Sequence, residues 1–167
     1  MDAPTTADQL VVHPWRPEDV PRLHDAVIES LDHLRPWMPW VAKEPLTLPQ
    51  RADLVSGWEP LADAGDRMCG MFVGDEVVGG CGLHQRIGPE GEEIGYWVRV
   101  GRVGRGYATA AARTLTDMAF ADRAVTHTEI HHDVANLASG RVPAKLGYVH
   151  VHDVDCPITA PGETGRR

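Results

Sequence analysis

The chain is short of cysteine, of positive charge and of long apolar runs, and each shortage removes a class of protein. Its three cysteines, Cys69, Cys81 and Cys156, include no Cys-x-x-Cys pair and leave an odd one. Neither a disulfide framework nor a zinc site is indicated, and a reducing cytoplasm is the expected home. Sixteen Lys and Arg stand against twenty-four Asp and Glu, a formal net charge of -8, which argues against a general nucleic-acid binder with its basic face. The same acidity suits a cationic or amine-bearing partner, or solubility alone. No apolar run approaches the ~20 residues of a membrane span. The start MDAPTTADQL has neither a basic region nor an apolar core, so no signal peptide is expected. What remains is 167 residues, 43% hydrophobic and 24% charged, the size and composition of one soluble domain over 1–167.

Periodicity supplies the elements. Leu10 to Val12 reads as a strand. Pro17, Glu18 and Asp19 start a helix on which Val20, Leu23, Val27, Leu31 and Leu34 recur at helical spacing. The prolines of RPWMPW (Arg35 to Trp40) end it and bring Trp37 and Trp40 beside each other, and Arg51 to Ala62 reads as a second helix. Met68 to Val73 and Glu76 to His84 form a hairpin around Gly74-Asp75, and Glu92 to Val100 is a strand rich in aromatic and β-branched residues. A helix follows with Tyr107, Ala111, Leu115 and Met118 on one face. Thr126 to Asp133 reads as a strand, Asn136 to Leu146 as a helix, and Tyr148 to Val154 as a strand alternating Val149 and Val151 with His150 and His152. The order β, α, α, β, β, β, α, β, α, β gives a mixed α/β (α+β) sheet, a meander followed by a βαβαβ-like half.

The stretch VGRVGRGYATAAARTLTDMAF (Val100 to Phe120) places Gly104 and Gly106 at a strand-to-helix junction. Main-chain N–H groups of residues 103–108 then sit at a helix N-terminus, where unpaired donors and the helix dipole favour an anion such as phosphate, with Arg102 or Arg105 adding charge. A structural turn with solvent-facing arginines is the plain alternative. Thr109 stands where a dinucleotide fingerprint needs its third glycine, and no Gly-Lys-Ser/Thr follows, so both familiar phosphate loops are excluded.

Taken together, EIGYWV (Glu93 to Val98), GRGYATAA (Gly104 to Ala111), NLASGRVPAKLGY (Asn136 to Tyr148) and LRPWMPW (Leu34 to Trp40) resemble the GNAT superfamily of acetyl-CoA-dependent N-acetyltransferases, in its RimJ/RimL-like branch. The resemblance spans Leu10 to Val154. It implies a central mixed, mostly antiparallel sheet flanked by helices, and acetyl transfer from acetyl-CoA directly to a primary amine of a small molecule or a protein N-terminus. A non-catalytic acyl-CoA-binding module is the alternative. The family's last strand is missing, since PITAPGETGRR holds no apolar strand; either the chain is truncated or an edge stays open, inviting a homodimer.

The resemblance also implies roles. The pyrophosphate loop Gln/Arg-x-x-Gly-x-Gly/Ala falls on Val103, Gly106 and Ala108, with Val103 departing from the pattern and Arg105 compensating. Trp97, Val98, Gly104, Tyr107 and Asn136 join these as acetyl-CoA contacts. Ser139 matches the serine that protonates the departing thiolate; the alternative is that Asn136 caps its helix and Ser139 is a surface residue. Another branch's tyrosine acid falls on Pro143, whose ring should make the Ser139 turn irregular. Glu93 shares a strand face with Gly95 and Trp97 and is one candidate base; His84 is the other, and solvent the third. Either side chain could instead be a plain solvated strand residue. Glu92 is expected at the surface, and Cys69 and Cys81 in the core. Trp37 and Trp40 wall the acceptor pocket or pack beneath the first helix. His131 and His132, being adjacent on a strand, point apart and suggest no metal.

Overall fold

The computed structural model describes residues 6–167; the MDAPT start, read above as carrying no leader, lies outside them. A strand β1 (Val11–Pro14) leads into helix α1 (Val20–Leu34) through a tight turn at Pro17–Asp19. Buried Asp19 holds that entry, accepting the Arg16 N–H at 3.0 Å and Arg22 Nη2 at 2.7 Å. The apolar face of α1, with Leu23, Ala26 and Val27, is buried. Arg35 still has helical backbone and bonds the Leu31 carbonyl, but Pro36 has no N–H to give the carbonyl of Asp32, and the helix ends there.

The expected helix over Arg51 to Ala62 is two helices, α2 (Leu48–Ser56) and α3 (Trp58–Asp63). Thr47 opens α2 as a reciprocal cap with Gln50. Pro60 explains the break, because its ring conflicts with the carbonyl four residues earlier, that of Ser56.

Four strands form an antiparallel meander, β1, β2 (Arg67–Val73), β3 (Glu76–His84) and β4 (Gly91–Val98), and β5 (His127–Glu129) lies parallel to β4 at the end of the sheet. β5 is much shorter than the expected Thr126 to Asp133. It pairs only Gly91–Glu93 of β4 with His127–Glu129, so beyond Glu93 the two strands part. Helix α4 (Tyr107–Phe120) covers one face, where Ile94, Leu83, Met71, Cys69, Ala111 and Leu115 form the main core. Burial pushes both Cys69 and Cys81 thiols up, Cys69 to about 11, as suits core residues and not nucleophiles. Glu92 corrects its surface assignment. It alternates onto this core face and is buried, its two oxygens taking Arg67 Nη2 at 2.8 and 2.9 Å.

Helix α5 (Leu137–Lys145) follows, and Tyr148 beyond it bridges α4 to β5, its hydroxyl lying 2.7 Å from both Thr116 and Thr128 hydroxyls. The expected strand Tyr148 to Val154 does not form. Val149 and Val151 are 84% and 80% exposed, because an alternating pattern makes a strand only where a neighbouring strand pairs with it. The tail instead folds back on itself, pairing Val154 with Arg167 and Cys156 with Gly165. It is pinned by Thr164 to the Asp133 carboxylate and by Gly162 N–H to the Pro36 carbonyl at 2.8 Å. Among the described residues no strand follows β5 in the sheet, in line with the missing last strand. No described helix is long and apolar enough to cross a membrane.

Candidate active site

Three glycines make the floor of the site. Cross-strand register pairs Gly80 with Trp97, Gly82 with Gly95 and His84 with Glu93, so these six residues share the sheet face opposite α4. A Cβ on Gly80 would lie 2.5 Å from Trp97 Nε1, and one on Gly82 would lie 3.2 Å from His84 Nε2. The indole and the imidazole therefore lie over backbone that only glycine leaves clear.

Above this floor is a cavity of about 1040 Å³. Trp37 and Trp40 wall it from the α1–α2 connection, Asn136 and Ser139 from the start of α5, and Cys156 and Thr159 from the tail. The cavity thus gathers His84, Glu93, Trp97, Asn136, Ser139, Trp37 and Trp40, which the sequence singled out separately. Trp40 does not take Trp37 as its ring partner, as expected; it packs on Trp97, with centroids 6.1 Å apart.

The glycine turn stands outside the cavity lining, at the start of α4. Gly104 (φ 75°) and Gly106 (φ 82°) both adopt left-handed backbone, and Gly106 caps the helix. The first helical bond runs from Ala110 N–H to Gly106 O, so the N–H groups of 107–109 lack an intrahelical acceptor. Val103, Gly104 and Arg105 are exposed, whereas the Tyr107 side chain is buried and offers a ligand only its main chain. Arg102 is held by Glu76 at 2.7 Å, which leaves Arg105 as the exposed cation of the turn. Val98 packs toward α4; Trp97 faces the other way, into the cavity.

At the point where β4 and β5 part, Glu93 faces the cavity with Oε2 3.5 Å from His131 Nδ1, and His131 Nε2 lies 2.5 Å from Glu129 Oε2. His131 entered the sequence reading only as a rejected metal ligand. The two-residue spacing of Glu129 and His131 gains its meaning only from the pairing of Glu93 with Glu129, which the sheet alone shows. His132 turns elsewhere, its ring against Gly140 and its Nδ1 3.0 Å from the Asp133 carbonyl. Among the described residues no cluster of three or more His, Cys, Asp or Glu is placed to hold a metal. His84 is buried, with Nδ1 3.7 Å from Asp66 Oδ2. Burial and the Arg86 charge lower its pKa against the opposing pull of Asp66 and Glu93, so near neutrality it is an uncharged, weakly basic imidazole.

Ser139 sits in the first turn of α5, where Asn136 Oδ1 accepts its N–H at 3.2 Å. Asn136 is therefore a helix cap, with its amide nitrogen left over for other partners. The turn is regular, contrary to expectation, and α5 runs through Pro143. Proline removes the N–H that would bond the Ser139 carbonyl, and Tyr96, missed in the sequence, replaces it by donating its hydroxyl to that carbonyl at 3.0 Å. The same hydroxyl lies 3.3 Å from Ser139 Oγ, and burial raises the Tyr96 pKa to about 12.

A helix start with unpaired N–H groups, a parted strand pair, and a carboxylate and a hydroxyl facing one cavity are the arrangement that the sequence resemblance leads one to expect. The known proteins it resembles agree. Residues 9–149 match the acetyltransferase (GNAT) domain, and the chain belongs to that family. It is an acetyl-CoA-dependent N-acetyltransferase, with acetyl-CoA as donor and a primary amine as acceptor. The putative ribosomal N-acetyltransferase YdaF of Bacillus subtilis (strain 168) is 25% identical over 145 residues, 85% of this chain and 79% of the relative. The acetyltransferase of Salmonella typhimurium that modifies the N-terminal serine of 50S ribosomal protein L7/L12 superposes with TM-score 0.80 at 19% identity, over 96% of this chain and 92% of that one. Microcin C7 self-immunity acetyltransferase MccE, solved with acetyl-CoA and AMP, superposes with TM-score 0.85 at 13% identity, over 96% and 90%. At these identities the two structures speak for the fold.

Proposed function

We propose that this chain, as one domain over 1–167, acetylates the α-amine of a protein N-terminus in the cytoplasm. The observation that carries the reading is the Glu93 carboxylate, set at the parting of β4 and β5 and facing a cavity of about 1040 Å³, at the top of the range for small-molecule sites and roomy enough for the first residues of an extended chain. YdaF and the Salmonella enzyme, both named for ribosomal targets, support it.

Glu93 takes a proton from the acceptor ammonium, and the amine attacks the thioester carbonyl. N–H groups on the edge of β4 beyond Glu93, which β5 does not pair, serve as donors to the oxyanion. The Ser139 hydroxyl gives its proton to the departing thiolate and regains one from the nitrogen that has attacked, and His84 shapes the pocket beside the base. The main chain of 103–108, with Arg105, binds the pyrophosphate, while Asn136 and the Trp97–Val98 strand end hold the pantetheine arm. Trp37 and Trp40 contact the acceptor. The exposed run Val149–Val154 offers an edge to a second copy, a homodimer that sedimentation velocity would register.

A small-molecule amine with a planar body is the second reading, favoured by the five indoles on the cavity wall, Trp15, Trp37, Trp40, Trp58 and Trp97. Thiol release from acetyl-CoA decides between them. Peptides with a free amino-terminal serine are expected to turn over, and amino-terminally blocked peptides not at all. Turnover of spermidine or aromatic amines with none of peptides would establish the second reading. Acetyl-CoA binding without thiol release across the panel would make the chain a non-catalytic module.

A further inference from the structure

Building on Glu93 as the base, we infer that Glu93, His131 and Glu129 form a relay that carries the acceptor's proton out of the cavity, with His131 as its positioning residue. The reaction itself requires such an exit. An ammonium and a thioester become an amide, a thiol and one free proton, and that proton starts on a side chain only 17% exposed.

Geometry supplies the path. His131 Nε2 lies 2.5 Å from a Glu129 oxygen, and a carboxylate only accepts, so Nε2 carries the ring hydrogen. In the neutral ring Nδ1 then presents a lone pair to Glu93 Oε2 at 3.5 Å, and it is buried with no hydrogen-bond partner. Two acceptors facing each other repel unless a proton lies between them. The ammonium proton provides it when Glu93 takes it up. Glu93 O–H then passes the proton to Nδ1 as Nε2–H passes its own to Glu129, which releases it to water. The ring, 25% exposed, then swings outward, loses the Nδ1 proton to water, takes one from water at Nε2 and returns as the starting tautomer. No bond other than O–H and N–H is made or broken, and one proton leaves per turnover.

Exposure rises along the same line. The side chains are 17% exposed at Glu93, 25% at His131 and 44% at Glu129, so the order from cavity to solvent is the order of the relay. The sheet fixes this order, because Glu93 and Glu129 are the last residues paired between β4 and β5 and His131 follows two positions on. The surrounding charges are His84 on β3, with Asp66 and Arg86 beside it, and His127 3.9 Å from Glu129.

His131→Gln keeps one hydrogen bond to Glu129 but cannot pass a proton through a ring. With acetyl-CoA and a peptide bearing a free amino-terminal serine, its kcat at pH 7 should fall about 10²-fold, with KM for acetyl-CoA unchanged within twofold. Added imidazole should restore part of the rate to His131→Ala, a recovery that a purely structural role would not give. Independently of any acceptor, ring nitrogen NMR of the full-length protein should show the Nε2–H tautomer for His131 and a changed Nδ1 signal in Glu93→Gln. If Glu93→Gln loses its rate while His131→Gln keeps it within about threefold, the relay is wrong and the base assignment stands. If Glu93→Gln keeps its rate, both fall. A His131 Nδ1 signal indifferent to Glu93→Gln also overturns the relay.

Discussion

At the scale of single residues, His84 ties the site to the stability of the fold. Burial holds its pKa below the ordinary 6.5, so the folded chain resists a proton that the unfolded chain accepts. Stability from this group is complete above about pH 6.5 and declines as pH falls through that value. His84→Gln removes the linkage and keeps a polar side chain over Gly82. Urea midpoints measured from pH 7 to pH 5 should therefore fall less in His84→Gln than in the parent; an equal fall would mean that His84 is not buried neutral. Glu93 was legible in the sequence because strand alternation puts it on one face with Gly95 and Trp97, and His84 because its intrinsic pKa suits a base; their facing across β3 and β4 came from the register. His131 was not, since its meaning depends on which residue of β4 faces β5, and register across a parallel pair is set by packing that no local pattern encodes. Glu92 misled for a related reason. A charged residue reads as surface until its partner, Arg67, two strands away, is seen.

At the scale of elements, α5 and β4 are joined by a substitution of donors. Pro143 leaves the Ser139 carbonyl without its helical N–H, and the Tyr96 hydroxyl fills that place. Tyr96→Phe should cost about 1–3 kcal/mol, the range for a part-buried polar group left unpaired. In a Pro143→Ala background the restored N–H takes over the carbonyl, so the same change should cost close to nothing. Denaturant unfolding of the four proteins in this cycle measures the difference, and equal costs in both backgrounds would show that the hydroxyl does not compensate for the proline. Strong periodicity made α1, α4 and the β2–β3 hairpin readable. Elements that need a distant partner were misread: β5 is cut to His127–Glu129 where the sheet parts, and Tyr148–Val154 has the alternation of a strand with no sheet strand beside it.

At the scale of the whole molecule, the proposed donor and acceptor sides rest on different parts of the chain. The glycine turn belongs to α4, whereas the far wall of the cavity is the tail, pinned by Thr164 to Asp133. Deleting residues 155–167 should therefore raise the acceptor KM about tenfold or more. Stabilisation by acetyl-CoA, about 2.7 kcal/mol at a hundred times its Kd, should persist in the shortened chain. Thermal shifts and steady-state kinetics on the same preparations check both, and loss of the acetyl-CoA shift would show that the two sides are not separable. The mixed sheet and the glycine turn at the start of α4 were visible in the sequence, but the tail was not, because its hold on the body runs through main-chain groups and a single carboxylate instead of an apolar pattern. The tyrosine that spans from β4 to α5 bears on the mechanics of this arrangement. Strands that part without a tie behave as a hinge, whose aperture any guest can force wider. A tie across the opening turns the hinge into a frame, and a frame admits by dimension before charge or chemistry is consulted.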